Sequence, residues 1–166
     1  IPFSNELILP FFDFYSIGGP NSIRAFGTRE VGPGTVDQSQ QNLGFLAGLG
    51  DIKLESSLEY RLRLGSYFEL AAFLEAGNVW LFRPRDEESK ETNFQLQDFY
   101  RELAAGTGIG LRVNLSSLII RLDFGIPLSK PWLPEGERWV GNDIDLLSGS
   151  WRKENLQWNL AFGYPF

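Results

Sequence analysis

Residues 52–64 read Ile52-Lys-Leu-Glu-Ser-Ser-Leu-Glu-Tyr-Arg-Leu-Arg-Leu64, and their alternation decides the fold. The even positions are Ile52, Leu54, Ser56, Leu58, Tyr60, Leu62 and Leu64; the odd ones are Lys53, Glu55, Ser57, Glu59, Arg61 and Arg63. A strand puts these two sets on opposite faces, one almost wholly apolar and the other densely charged. A helix would mix them. The segment is therefore expected to be a strand.

Working outward, the same period-two pattern recurs in four more segments: about 67–80, 103–115, 118–128 and 155–166. These segments run roughly 11 to 14 residues, whereas strands of soluble sheets average about 5 to 6. A tilted membrane-spanning strand needs about 9 to 11. Tight turns are expected at Gly65-Ser66 and Ser116-Ser117, and long polar loops at about 81–101, about 129–154 and before Ile52. Short turns at one end and long loops at the other mark an outer-membrane barrel. Trp80, Phe82, Trp158, Tyr164 and Phe166 place aromatic residues at the segment ends, where a membrane interface would hold them.

Five strands cannot close a bacterial barrel, which needs an even number and at least eight. Open edges in lipid would leave backbone groups unpaired, at several kcal/mol each. The chain is thus expected to be all-β, the C-terminal part of a larger antiparallel transmembrane β-barrel, with residues 1–17 supplying the end of a sixth strand. The absence of Met agrees with a piece of something longer.

Composition narrows the function. The 166 residues hold no Cys and no His, which removes thiolate chemistry, structural zinc and the commonest general base. A net charge of −6 and a pI near 4.7 argue against a nucleic-acid partner. No apolar run reaches the length of a spanning helix. Other motifs fail on inspection. The glycines of Gly106-Thr-Gly-Ile-Gly110 alternate within a strand and make a smooth wall rather than a phosphate loop. Asp86-Glu-Glu88 and the pair Asp143 and Asp145 lack an EF-hand pattern. Glu59 and Glu75 could be a glycosidase pair, but neighbouring arginines favour ion-paired carboxylates. No catalytic constellation, cofactor or metal site is expected, and the chain is not expected to be an enzyme.

Several stretches resemble one family. Tyr15-Ser-Ile-Gly-Gly-Pro-Asn-Ser-Ile-Arg-Ala-Phe-Gly27, followed by Val31-Gly-Pro-Gly34, resembles the signature loop of the BamA/TamA family, also called bacterial surface antigens. Leu58-Glu-Tyr-Arg61, Phe73-Leu-Glu-Ala-Gly-Asn-Val-Trp80 and Asn159-Leu-Ala-Phe-Gly-Tyr-Pro-Phe166 are similar to its C-terminal strands. Arg121-Leu-Asp-Phe-Gly-Ile-Pro-Leu128 and Ser150-Trp-Arg-Lys-Glu-Asn155 look closest to the TamL-like members of Bacteroidetes. The resemblance covers essentially the whole chain: residues 1–50 as a strand end plus signature loop, and residues 51–166 as five strands with their loops. It implies a barrel of about sixteen strands in the bacterial outer membrane. It also implies a protein that inserts client β-barrels, with outer-membrane lipid around it and accessory lipoproteins or periplasmic repeats as further partners.

The resemblance also implies a site. The family's signature loop folds into the lumen, where its Arg pairs with acids of the wall. Carried over, the loop residues are Gly18, Gly19, Arg24, Ala25, Phe26 and Gly27, and the wall acids are Glu59 and Glu75. Alternation independently puts both acids on the polar face. If the turn pairs Leu64 with Phe68, Glu59 faces Phe73 and Glu75 faces Ser57, so the carboxylates are diagonal neighbours about 7–8 Å apart at the backbone. Like charges that close need a cation between them, and one guanidinium can serve two carboxylates. The chain departs from the family at Ala25, where Gly would permit a left-handed backbone or close approach. The C-terminal recognition signal maps to Asn159, Ala161, Tyr164 and Phe166, with Ala161 in place of Gly. In the family this last strand forms a weak seam to which client strands add. The rival readings are a passive pore or surface receptor, and a soluble β-sandwich.

Overall fold

Each described strand lies beside its sequence neighbours in one antiparallel five-stranded sheet. In the computed structural model, which describes residues 14–38, 48–82, 90–115 and 118–163, the strands are β1 (Ile52–Leu64), β2 (Phe68–Trp80), β3 (Ala104–Leu115), β4 (Leu118–Ser129) and β5 (Gln157–Gly163). The first four have 12 or 13 residues each. The β1–β2 turn passes through Gly65 at φ 76°, and its register sets Leu64 opposite Phe68, Glu59 opposite Phe73 and Ser57 opposite Glu75. The second tight turn, at Ser116-Ser117, lies outside the described residues.

Register carries the alternation across the whole sheet. Leu62, Leu70, Leu111, Leu122 and Leu160 form one continuous row, and Tyr60, Ala72, Ile109, Phe124 and Trp158 form the next. Most apolar side chains of this face are exposed: Leu58, one row further along, is 72% accessible, Tyr60 70% and Trp158 64%. Residues 14–38 instead lie over part of the charged face, and the core of Ile17, Ile23, Ala25, Phe26, Val31, Val79 and Ala104 lies between that segment and the sheet, while Arg61 and Arg63 stay exposed. A soluble sandwich would cover its apolar face with a second sheet. Here the apolar face is bare and the segment packs on the charged face instead, which is the inside-out arrangement of a barrel wall. Among the described residues no helix is long and apolar enough to cross a membrane.

The long loops hold more structure than their composition suggested. A bulge between Ala105 and Gly106 sets Ala105 opposite Ser129, and the ladder then continues past β4. Lys130 N donates to Arg138 O at 2.9 Å and Val140 N to Leu128 O at 2.9 Å. Helix α1 (Gly149–Asn155) follows, so 129–154 is not wholly irregular. Ser148 caps it by accepting from Trp151 N, and Arg152 and Lys153 sit in its last turn, where the helix dipole favours cations. The helix takes Asn155, so the last strand begins later than alternation suggested, at Gln157. Of the expected sixth strand, residues 1–13 lie outside the described residues; Tyr15 makes an antiparallel bridge with Gly50.

Candidate functional site

The segment 14–38 doubles back over the charged face. It turns at Gly18 and Gly19, whose φ values of 104° and 93° are left-handed. Gly19 N donates to Phe26 O at 2.8 Å, which closes the loop behind Arg24. Phe26 is fully buried and meets Trp132 edge to face at 5.8 Å. Gly27 N donates to the Glu30 carboxylate. Beyond Gly77, β2 no longer pairs with β3, and the returning loop uses that free edge. Gly34 N donates to Val79 O at 2.7 Å, and Asn78 Nδ2 donates to Gly34 O at 2.8 Å.

Arg24 is the point at which the loop is held. Its Nη2 lies 2.7 Å and its Nε 2.8 Å from Glu75 Oε1, and its backbone N donates to Glu75 Oε2 at 2.7 Å. Its Nη1 lies 2.8 Å from Glu59 Oε2. The structure thus brings Arg24, Glu59 and Glu75 together, with the Phe73 ring 3.5 Å below the guanidinium. Burial works against the Arg24 charge, but the Glu75 hydrogen bond and charge, then Glu59 and Asp123, outweigh it and raise its pKa. A guanidinium held this way keeps its proton under all ordinary conditions.

Sequence reasoning missed three charged members of the site. Asp123, fully buried, approaches Arg24 Nη1 at 3.3 Å. Arg112 grips both Glu59 oxygens, at 2.8 and 2.7 Å. Arg121 pairs with Asp123 at 3.0 Å and donates to Pro20 O and to Asn21 Oδ1. Three arginines and three carboxylates therefore alternate, so no carboxylate is left as an isolated buried charge. The available signal was parity: Arg112, Arg121 and Asp123 all occupy the polar face of their strands.

The wall beneath the loop is stripped of side chains where the loop touches it. A Cβ on Gly106 would lie 2.2 Å from the Ala25 Cβ, and one on Gly125 would lie 2.7 Å from Arg24 O and 2.8 Å from Ala25 N. The smooth wall is a seat for the loop. Ala25, buried on these glycines, does not have the left-handed backbone that would demand Gly; among the described non-glycine residues only Arg29 has positive φ. Asn159, singled out within the C-terminal signal, donates from Nδ2 to Arg24 O at 2.9 Å. Ala161 stands on β5 opposite Arg121, while Tyr164 and Phe166 lie outside the described residues.

At the loop end, Trp80 is fully buried and packs on Phe94 at 5.3 Å, and its indole N–H donates to the Glu102 carboxylate. Burial pushes the Glu102 carboxyl up, partly opposed by that hydrogen bond and by Arg138. Among the described residues no cluster of acidic side chains could hold a metal ion.

The family model described as the Omp85 superfamily domain matches residues 2–163 of the chain. No curated protein and no solved structure gives a match.

Proposed function

Because the chain belongs to the Omp85 superfamily, whose members are outer-membrane barrels acting in protein assembly or transport, we propose that it is the C-terminal barrel region of a factor that inserts client β-barrels into the bacterial outer membrane. Within the superfamily it is assigned to the BamA/TamA type, nearest the TamL-like members. The observation that carries the reading is the loop seated on the lumen wall by Arg24, Glu59, Glu75 and Asp123. A loop so braced is held on the inner face of the wall, which favours an assembly barrel over an open pore. The bare rows of leucine and aromatic side chains fit outer-membrane lipid. Strand β5 is the edge to which a client strand would add by backbone pairing. Accessory lipoproteins or periplasmic repeats of the parent chain would deliver the client. The work on the client is conformational, with no bond made or broken.

The test reconstitutes the full-length protein in liposomes and adds a urea-unfolded barrel. Folding of that client, read as a heat-modifiable and protease-protected form, is expected to accelerate several-fold over empty liposomes. Ion conductance without acceleration would instead identify a passive pore.

A further inference from the structure

We propose that Asn78 couples the β2–β3 loop to the returning arm of the lumen loop, residues 31–36, so that displacing the first from outside loosens the second. Asn78 lies three residues beyond Glu75 on β2 and is fully buried. Its amide nitrogen carries two hydrogens, and each goes to a different segment. One is donated to Gly34 O at 2.8 Å, in the arm; the other goes to Glu102 O, where the β2–β3 loop enters β3. Its Oδ1 accepts from Val79 N at 2.7 Å, which fixes the orientation of the amide.

Beside Asn78 the arm is a wedge between strand and loop. Gly34 N donates to Val79 O at 2.7 Å on one side, and Thr35 N donates to Glu91 O at 3.0 Å on the other. Glu91 belongs to the β2–β3 loop, which is tied to the end of β2 in turn. Leu81 N donates to Thr92 O at 2.8 Å and Phe94 N to Leu81 O at 3.3 Å, while Trp80 packs on Phe94 and donates to the Glu102 carboxylate. The fit leaves no slack: a Cβ on Gly34 would lie 1.9 Å from Glu91 O, and one on Gly32 would lie 2.6 Å from Asn78 Oδ1. None of residues 31–36 is charged, so this anchorage is separate from the ionic seat of Arg24. The long loops of an outer-membrane barrel face its outside, and this one has an open side, with Leu96 76% and Tyr100 56% accessible. Lifting the loop must break the Thr35 and Asn78 bonds, which frees the arm while Arg24 keeps its carboxylates. By reciprocity, freeing the arm loosens the β2–β3 loop to the same extent.

This relay needs the barrel wall and not client insertion, so it is tested without a client, by amide hydrogen exchange on the full-length protein in detergent micelles. Loosening next to a substitution is expected of any buried residue, and the deciding signal is the one across the contact. Phe94→Ala alters only the β2–β3 loop, where Phe94 packs on Trp80 and Phe99, and should raise exchange of residues 31–36 several-fold. Gly34→Ala presses the arm against Glu91 and should raise exchange of residues 90–102 several-fold. Asn78→Asp keeps the shape but removes both donors, and should raise exchange of both segments by about tenfold. In each variant residues 18–27 are expected to keep wild-type protection, and the heat-modifiable gel shift its wild-type temperature. Should Asn78→Asp not fold, the other two variants decide. Unchanged exchange of 31–36 in Phe94→Ala, or of 90–102 in Gly34→Ala, overturns the coupling. An equal loss of protection in 18–27 also overturns it, because the wall as a whole would then have loosened.

Discussion

Arg24 stands on a loop yet is buried among three carboxylates, and this makes it the residue whose loss the barrel should feel most. Arg24→Ala leaves Glu75 buried without its cation and removes one of the two partners of Glu59 and Asp123 within the network, a change that costs about 3–5 kcal/mol when a buried pair is broken from one side. The expected outcome is loss of the folded, fast-migrating gel band at a markedly lower temperature than for the wild type. Arg24→Lys keeps the charge but cannot reach Glu59, Glu75 and Asp123 together, and should fall between the two. Glu102 gives a prediction in pH. Its folded-state pKa is raised above the ordinary value by burial, so the folded loop holds a proton that the unfolded one releases. That contribution is present below the ordinary carboxyl pKa of about 4.5 and is lost as pH rises through the raised value. Protease resistance of the segment around Trp80 and Glu102 should therefore fall across that window in the wild type, and Glu102→Gln should flatten the profile. At this scale the sequence named Arg24, Glu59 and Glu75 because they carry a recognisable pattern. It was silent on Arg112, Arg121 and Asp123 as partners, since nothing local in β3 or β4 records what will be folded against them.

Among the elements, the strands were legible and the loops were not. β1 begins and ends where its alternation does, since a half-buried strand must repeat its chemistry every second residue. Helix α1 escaped because its seven residues have no apolar stripe to reveal a helical period; only the Ser148 cap and the closing Arg152-Lys153 mark it. The glycines of β3 and β4 were read as a smooth wall, and the loop gives that wall its purpose. Gly125→Ala should show this. Its Cβ would meet the loop backbone rather than a movable side chain, so the loop must lift. The expected result is proteolytic cleavage within residues 18–34 under conditions in which the wild type resists. Gly149→Ala is the control: open space surrounds it, and Ala favours a helix over Gly by about 0.5–1 kcal/mol. It should leave the cleavage pattern unchanged.

For the whole molecule, the decisive fact is that the two faces of one sheet are solved by different partners. The outer rows require an apolar medium, and the inner face requires a charged loop. Substitutions should respect that division. Leu74→Arg on the outer face is expected to destabilise the barrel in a bilayer by about 2–4 kcal/mol, as arginine does near a membrane midplane. Arg61→Gln on the wet inner face should cost much less, and urea unfolding in lipid vesicles would measure both. What the sequence by itself determined was the all-β meander, the strand boundaries of β1 to β4, and which residues point to which side. All three follow from a period of two and from turn lengths, which are properties of consecutive residues. What only the tertiary structure decided was the shared ion network, the glycine seat, and the capture of Gly34 on the free edge of β2. Those features join residues as far as 135 positions apart, and contact between distant residues is set by register and packing, which leave no periodic trace in the chain.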